Sequence, residues 1–224
     1  MAQPHSLPLA FDELERPARR EALGPQATLL AGFAQNQARG LVAALEDICC
    51  VSPLRQMTTP GGWTMSVAMT NCGAAGWVTD RSGYRYDTVD PQTGQPWPPM
   101  PAGFAALATS AAAAGGFTGF IPDACLINQY RPGARLSLHQ DRNESDLSFP
   151  VVSVSLGLPA VFLWGGQRRN DRYTRVPLLH GDVVVWGGVD RLRFHAVQRL
   201  ADGGHPLTGA FRYNLTFRKV RFGR

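Results

Sequence analysis

From Phe120 onward the chain is a succession of short β runs, and this punctuation constrains the fold more than any other feature. DACLINQY, ARLSLHQ, VVSVSLG, AVFLW, TRVPLL, DVVVWG, LRFHAV and FRYNLTFRK follow one another, separated by turn residues. Runs of this kind at intervals of about ten residues predict a sandwich or jelly roll. The expected fold class is therefore mainly β, with flanking helices.

Two helices precede the runs. From Gln35 the apolar set Leu41, Val42, Leu45, Ile48 and Cys49 recurs at helical spacing until Ser52-Pro53, and a second helix is expected over Ala102 to Ala114, ending at Gly115-Gly116. Both should pack as covers on a sheet. Between them lies a stretch dense in Gly, Pro, Thr and aromatics, which reads as hairpins and long loops of the kind that form lids. Residues 1–26 show no clear period and read as a poorly ordered N-terminal arm, so residues 27–224 make the one folded domain.

Composition excludes several classes. No stretch approaches the ~18 apolar residues that span a bilayer, and the N-terminus has no apolar signal core, so a cytoplasmic protein without membrane contact is expected. Cys49, Cys50, Cys72 and Cys125 have neither C-x-x-C nor zinc-knuckle spacing and read as reduced, mostly core residues. The net charge of +5 suits a polyanionic partner, with QRRNDRYTR (Arg168, Arg169, Arg172 and Arg175) its sharpest concentration; a solvated hairpin tip would look the same.

Three places carry chemistry. In LSLHQD, His139 and Asp141 lie two apart, so on a strand both side chains leave the same face and reach one ion. Two imidazoles and one carboxylate form the facial triad of non-haem Fe(II), so a third ligand must come from a distant strand. His195, inside a strand-like run, is favoured over His180, whose HGD sits at a turn. In FRYNLTFRK, alternation puts Phe211, Tyr213, Leu215 and Phe217 on one face and Arg212, Asn214, Thr216 and Arg218 on the other. If both faces are covered, the two guanidiniums need anionic partners, and a small dicarboxylate meets that need. In DACLINQY, Asn128 and Tyr130 share a face and could bond the same anion.

The segments PGGWTMSVAMTNCG, PDACLINQY, LSLHQD, VVSVSLGLPAVF, HGDVVVWGG and RYNLTFR, in order and over about residues 50–220, resemble the AlkB family of Fe(II)/2-oxoglutarate-dependent dioxygenases, which dealkylate nucleic-acid bases by oxidation. The resemblance implies His139, Asp141 and His195 as catalytic iron ligands, with His180 a non-ligand, and Arg212, Arg218, Asn128, Tyr130 and Asn214 as the holders of 2-oxoglutarate. It implies a nucleotide-recognition lid over about residues 55–100 and a jelly-roll core over about 120–220. Thr59, Met65, Ser66, Trp77 and Tyr84 match the lid, Trp77 being suited to stacking on an extruded base. Arg169 and Trp186 fall at positions near substrate and metal. Trp63 and Trp97 read instead as aromatic core beneath the loop.

One departure from the family pattern concerns Asn143, where an acidic residue is expected. A carboxylate there would favour a cationic methylated base; a neutral amide that both donates and accepts shifts preference toward neutral adducts. The implied cofactors are Fe(II), 2-oxoglutarate and dioxygen, and the implied partner is alkylated single- or double-stranded DNA, or RNA, acted on by a monomer. Two rival readings remain at this level: the same cofactor chemistry on a protein or small-molecule substrate, and a non-catalytic nucleic-acid binding module.

Overall fold

The computed structural model describes residues 18–220. In chain order the elements are β1 (Arg19–Gly24), β2 (Ala27–Ala31), α1 (Ala38–Val51), β3 (Arg55–Thr58), β4 (Thr64–Gly73), β5 (Gly76–Asp80), β6 (Gly83–Asp87), α2 (Ala102–Ala114), β7 (Ala124–Tyr130), β8 (Leu136–His139), β9 (Val151–Gly157), β10 (Ala160–Trp164), β11 (Thr174–Leu178), β12 (Val183–Trp186), β13 (His195–Val197) and β14 (Arg212–Arg218). A major sheet has the order β1-β2-β12-β9-β14-β7-β4-β3, a minor sheet β11-β10-β13-β8, and β5-β6 stand as a separate hairpin. Every pairing is antiparallel. The fold is the expected jelly roll, with the helical and hairpin segments on its N-terminal side.

The helices form where local chemistry puts them. In α1, Leu41, Val42, Leu45 and Ile48 are buried on one face, each contributing about 1.5–3 kcal/mol by leaving water. The residue before a proline is driven out of the α region, and Ser52 is extended (φ −127°, ψ 91°) ahead of Pro53, which ends the helix. The buried face of α2 is built from Phe104, Leu107, Ala108, Ala111 and Ala112, and the small residues let its axis approach the sheet. At its end Gly115 is required by that closeness, since a Cβ there would lie 2.7 Å from Val185 Cγ1 on β12. Both helices share a core with the outward residues of β7, β9, β12 and β14. The opposite face of the major sheet turns toward the minor sheet and frames a cavity.

The expectation of a poorly ordered arm over residues 1–26 fails for its described part. Residues 1–17 lie outside the described residues, but Arg19–Gly24 forms β1 and pairs with β2, which is itself inserted beside β12. As an edge strand β1 is largely exposed, so it has no apolar alternation to announce it. The all-buried β2, ATLLA, is the reverse case: covered on both faces, it carries no alternation either.

Candidate active site

The H-x-D pair converges as expected, but not by sharing a strand. His139 is the last residue of β8, and Asp141 lies past the strand end. The third member is His195, the first residue of β13, which stands directly opposite His139 in the β8–β13 register. The Asp141 Oδ1 atom is 3.8 Å from His139 Nε2 and 4.0 Å from His195 Nε2, and the donor atoms all lie within 4.8 Å of one another. His180 is elsewhere: its Nδ1 accepts from the Gly157 amide at 2.9 Å and its ring lies against His205.

The tautomers suit a metal. His139 Nδ1 is 2.8 Å from the Ser137 carbonyl and His195 Nδ1 is 3.0 Å from the Arg193 carbonyl. A carbonyl only accepts, so each Nδ1 carries the proton and each Nε2 turns its lone pair into the gap, an outer-shell arrangement usual for metal-binding histidines. Burial, with His139 adding to it and Asp141 opposing, pushes His195 down to about 3, so it is neutral at ordinary pH. Burial works to raise the Asp141 carboxyl, yet Arg218, His195 and His139 outweigh it and hold it well below the usual carboxylate range. Two imidazoles whose Nε2 atoms face Asp141 and a carboxylate fit Fe(II) with coordination positions left open.

Around this cluster lies a cavity of about 910 Å³. Leu126, Asn128 and Tyr130 of β7 and Arg212, Asn214, Thr216 and Arg218 of β14 all line it, as strand alternation requires. Thr216, on the same face as the expected residues, could have been named by that alternation alone. Of the four buried side-chain polar atoms without a hydrogen-bond partner among the described residues, three belong to this lining: Asn128 Oδ1, Trp186 Nε1 and Arg212 Nε. Buried polar atoms are rarely left unpaired without cause, and these are positioned for a polar ligand. Arg212 is only 1% exposed, bonds Ser155 Oγ at 2.7 Å and the Leu158 carbonyl at 3.2 Å, and has no carboxylate bridged to it among the described residues. Burial, partly offset by Tyr130 and Asp182, pushes it down to about 10, so it remains a cation awaiting an anion. A dicarboxylate fits this wall. Asn214 is held by Ser153 Oγ (2.8 Å) and by Thr216, whose hydroxyl donates to its Oδ1 at 2.7 Å.

Arg218 differs from the expectation of a guanidinium lacking an internal counter-ion. Its Nη2 donates to Asp141 Oδ2 at 2.7 Å and its Nε lies 3.2 Å from Glu144 Oε1. Glu144 also accepts from Tyr86 Oη at 2.7 Å and from Arg191 Nη2 at 3.0 Å. Burial, opposed by Arg218 and reinforced by Glu144, pushes the Tyr86 phenol well above its usual range, so it stays a donor. Glu144, Arg191 and Tyr86 were not readable as site residues from sequence, because their partners come from distant segments and no local pattern marks them.

The lid residues gather at the mouth. Thr59, Met65, Ser66, Trp77 and Tyr84 all line the cavity, and Ser66 Oγ donates to the Arg135 carbonyl at 2.9 Å, tying β4 to the segment before β8. Trp77 and Tyr84 stack at 5.7 Å between centroids, and Trp77 Nε1 donates to Asn143 Oδ1 at 3.1 Å. Trp97 is buried as expected, whereas Trp63 is 79% exposed and lines the cavity mouth. It sits in the turn between β3 and β4, where no second layer covers it, so the core reading of Trp63 is corrected. The basic segment 167–175 is exposed, running from the β10–β11 connection into the first two residues of β11, and from it Arg169 reaches the lining and lies 5.8 Å over the Phe194 ring. Trp186 packs edge-on at 5.1 Å from the His195 ring.

Comparison with known proteins bears on the same residues. A family model described as the 2OG-Fe(II) oxygenase superfamily matches residues 26–218. The chain is similar to the alpha-ketoglutarate-dependent dioxygenase AlkB of Escherichia coli (strain K12), at 58% identity over 201 residues that cover 90% of this chain and 93% of that protein. It is also similar to the nucleic acid dioxygenase ALKBH1 of Mus musculus, at 38% identity over 130 residues covering 58% of this chain and 33% of that protein. The solved structure of OsALKBH1 superposes with a TM-score of 0.79 at 29% identity, covering 90% of this chain and 100% of that one.

Proposed function

The chain belongs to the AlkB family within the 2OG-Fe(II) oxygenase superfamily, and from that membership we propose that it repairs N-alkylated bases of DNA, or RNA, by oxidative dealkylation. The observation that carries this reading is a single cavity lined by His139, Asp141 and His195, by the anion-seeking Arg212, and by the aromatic pair Trp77 and Tyr84. A metalloenzyme acting on a small polar molecule would need the first two features but not the third.

In this proposal His139, Asp141 and His195 hold Fe(II), while Arg212, Tyr130, Asn128 and Asn214 hold 2-oxoglutarate, with Arg218 contributing charge and fixing Asp141. The bound iron and cosubstrate supply, with dioxygen, the oxidation of an N-alkyl carbon, which leaves as an aldehyde while 2-oxoglutarate becomes succinate and carbon dioxide. Trp77, backed by Tyr84, stacks on the extruded base, which replaces the neighbours the base loses on leaving the strand. Arg169 and the basic connection around it hold the phosphate backbone outside the mouth. Trp186, Phe162 and Leu178 form an apolar wall that keeps water from the reacting carbon.

Asn143 refines the substrate. The indole N–H of Trp77 can only donate, so the atom of Asn143 facing it is the amide oxygen, and the NH2 group is left to face a base. A free donor suits a base bearing a carbonyl oxygen rather than an exocyclic amine, in line with the expected turn toward neutral adducts.

No helix among the described residues is long and apolar enough to cross a membrane. The cytoplasmic, monomeric enzyme expected from sequence is part of the proposal, and a light-scattering mass of one chain tests the second half. The test of function is anaerobic addition of Fe(II) and 2-oxoglutarate, followed by oxygen and a methylated single-stranded oligonucleotide with mass detection. A visible charge-transfer band with loss of the methyl mass supports the proposal. A band without demethylation would discard the substrate, and no band would discard the site.

A further inference from the structure

Beyond holding ligands, the cavity wall contains a chain of contacts that runs from the lid to the metal cluster. Asp141 is nearly buried and has two carboxylate oxygens with different fates. Oδ1 faces His139 Nε2 and His195 Nε2, while Oδ2 is taken by Arg218 through Nη2 at 2.7 Å and Nε at 3.2 Å. Arg218 therefore decides which oxygen is presented to an ion. Its own orientation depends on Glu144, whose Oε1 it meets at 3.2 Å and which also accepts from Arg191 and Tyr86. Arg191 belongs to the jelly-roll scaffold and fixes that end through the Phe149 carbonyl as well. Tyr86 is the one member of the network supplied by the β5–β6 hairpin, where it stands directly opposite Trp77. The hairpin is thus latched to successive residues of one loop, Trp77 to Asn143 and Tyr86 to Glu144.

We propose that Tyr86 and Glu144 are positioning residues that couple seating of the β5–β6 hairpin to the presentation of Asp141 Oδ1 toward the metal. The inference rests on the reading that His139, Asp141 and His195 hold an ion. Seating of the hairpin orients Glu144, Glu144 orients Arg218, and Arg218 orients the carboxylate. Coupling of this kind is reciprocal, so an ion bound at the cluster must in turn steady the hairpin. Loss of an outer-shell partner typically weakens metal binding about 10–100-fold.

The experiment uses Mn(II) alone, without 2-oxoglutarate, oxygen chemistry or nucleic acid. Its affinity is measured by calorimetry for the wild type, Tyr86→Phe and Glu144→Gln, beside hydrogen exchange of the amides of residues 76–87 with and without Mn(II). In the wild type, Mn(II) should slow exchange across the hairpin. Tyr86→Phe should weaken Mn(II) binding about 10-fold and abolish that metal-dependent slowing, and Glu144→Gln should do the same. The second variant carries the test if the first does not fold. Unchanged affinity, or weakened affinity with the metal-dependent slowing intact, would overturn the coupling, because a merely structural contact leaves that slowing in place. Absence of Mn(II) binding by the wild type would overturn both this inference and the metal reading. An enzyme inactive on methylated oligonucleotides that still shows metal-dependent slowing would sink only the proposed substrate.

Discussion

Replacing Arg212 by methionine separates the holding of a ligand from the holding of the fold. Burial pushes this guanidinium down from its ordinary range to about 10, which penalises the charged form by roughly 3 kcal/mol at about 1.36 kcal/mol per pH unit. Its compensation inside the protein is two hydrogen bonds, to Ser155 Oγ and the Leu158 carbonyl, worth about 1.5–3 kcal/mol each for a charged donor. Methionine, similar in length and apolar, removes both the penalty and the bonds. The two sides nearly cancel, so the metal-free protein should keep its unfolding free energy within about 2 kcal/mol. The ligand side has no such cancellation. A bidentate guanidinium–carboxylate contact carries two charge-assisted bonds, and losing it costs about 3–5 kcal/mol, or about 10²–10⁴-fold in 2-oxoglutarate affinity. Anaerobic titration of 2-oxoglutarate into the Fe(II)-loaded protein, read by visible absorption, gives the affinity; urea unfolding of the metal-free protein gives the stability. Unchanged 2-oxoglutarate affinity, or a loss of stability as large as the loss of binding, would refute the reasoning.

Other outcomes follow from the same contacts. His139 is partly exposed and the hydrogen bond its loss breaks, to the carbonyl of the exposed Ser137, is replaced by water, so His139→Ala should abolish Fe(II) binding and leave the metal-free melting temperature unchanged; retained iron binding by calorimetry would remove it from the ligand set. Asp141→Ala should lose iron and also about 3–5 kcal/mol of stability, because Arg218 keeps only Glu144; a melting temperature equal to that of His139→Ala would contradict this. Asn143→Asp should move preference at least about 10-fold toward bases with an exocyclic amine, measured as N3-methylcytosine against N3-methylthymine in matched oligonucleotides, and an unchanged ratio would count against the amide assignment. Burial, then Cys50 and Glu46, pushes the Cys49 thiol from its ordinary 9.0 to about 11. A folded value above the unfolded one means the contribution is intact below about pH 9 and declines toward pH 11, so Cys49→Ala should flatten the alkaline limb of stability, and parallel limbs would refute this.

Much of the fold was readable because its signals are local. The residue before Pro53 and the glycines after Ala114 stop the helices by backbone sterics, and the turn residues between β7 and β14 separate the strands where they occur in the chain. The face of β14 that lines the cavity was equally readable, since side-chain direction in a strand is decided by the pleat and not by what lies opposite. The pairing of His139 with Asp141 came close, although the geometry belongs to a strand end rather than to a strand.

What the sequence by itself determined, then, is the periodicity of the strands, the ends of the helices and which residues share a face. Only the tertiary structure decided what those faces meet. Register between β8 and β13 put His195, and not His180, opposite His139. Among the described residues, packing left Arg212 with no carboxylate bridged to it while giving Arg218 two, though the two arginines occupy equivalent positions on one strand face. It left Trp63 in solvent, and it joined Tyr86, Glu144 and Arg191 to the candidate ligand Asp141, which none of them adjoins on a shared strand. The physical reason is common to all of these: side-chain direction is a property of the local backbone, whereas desolvation and ion pairing depend on which distant segment arrives to cover each group.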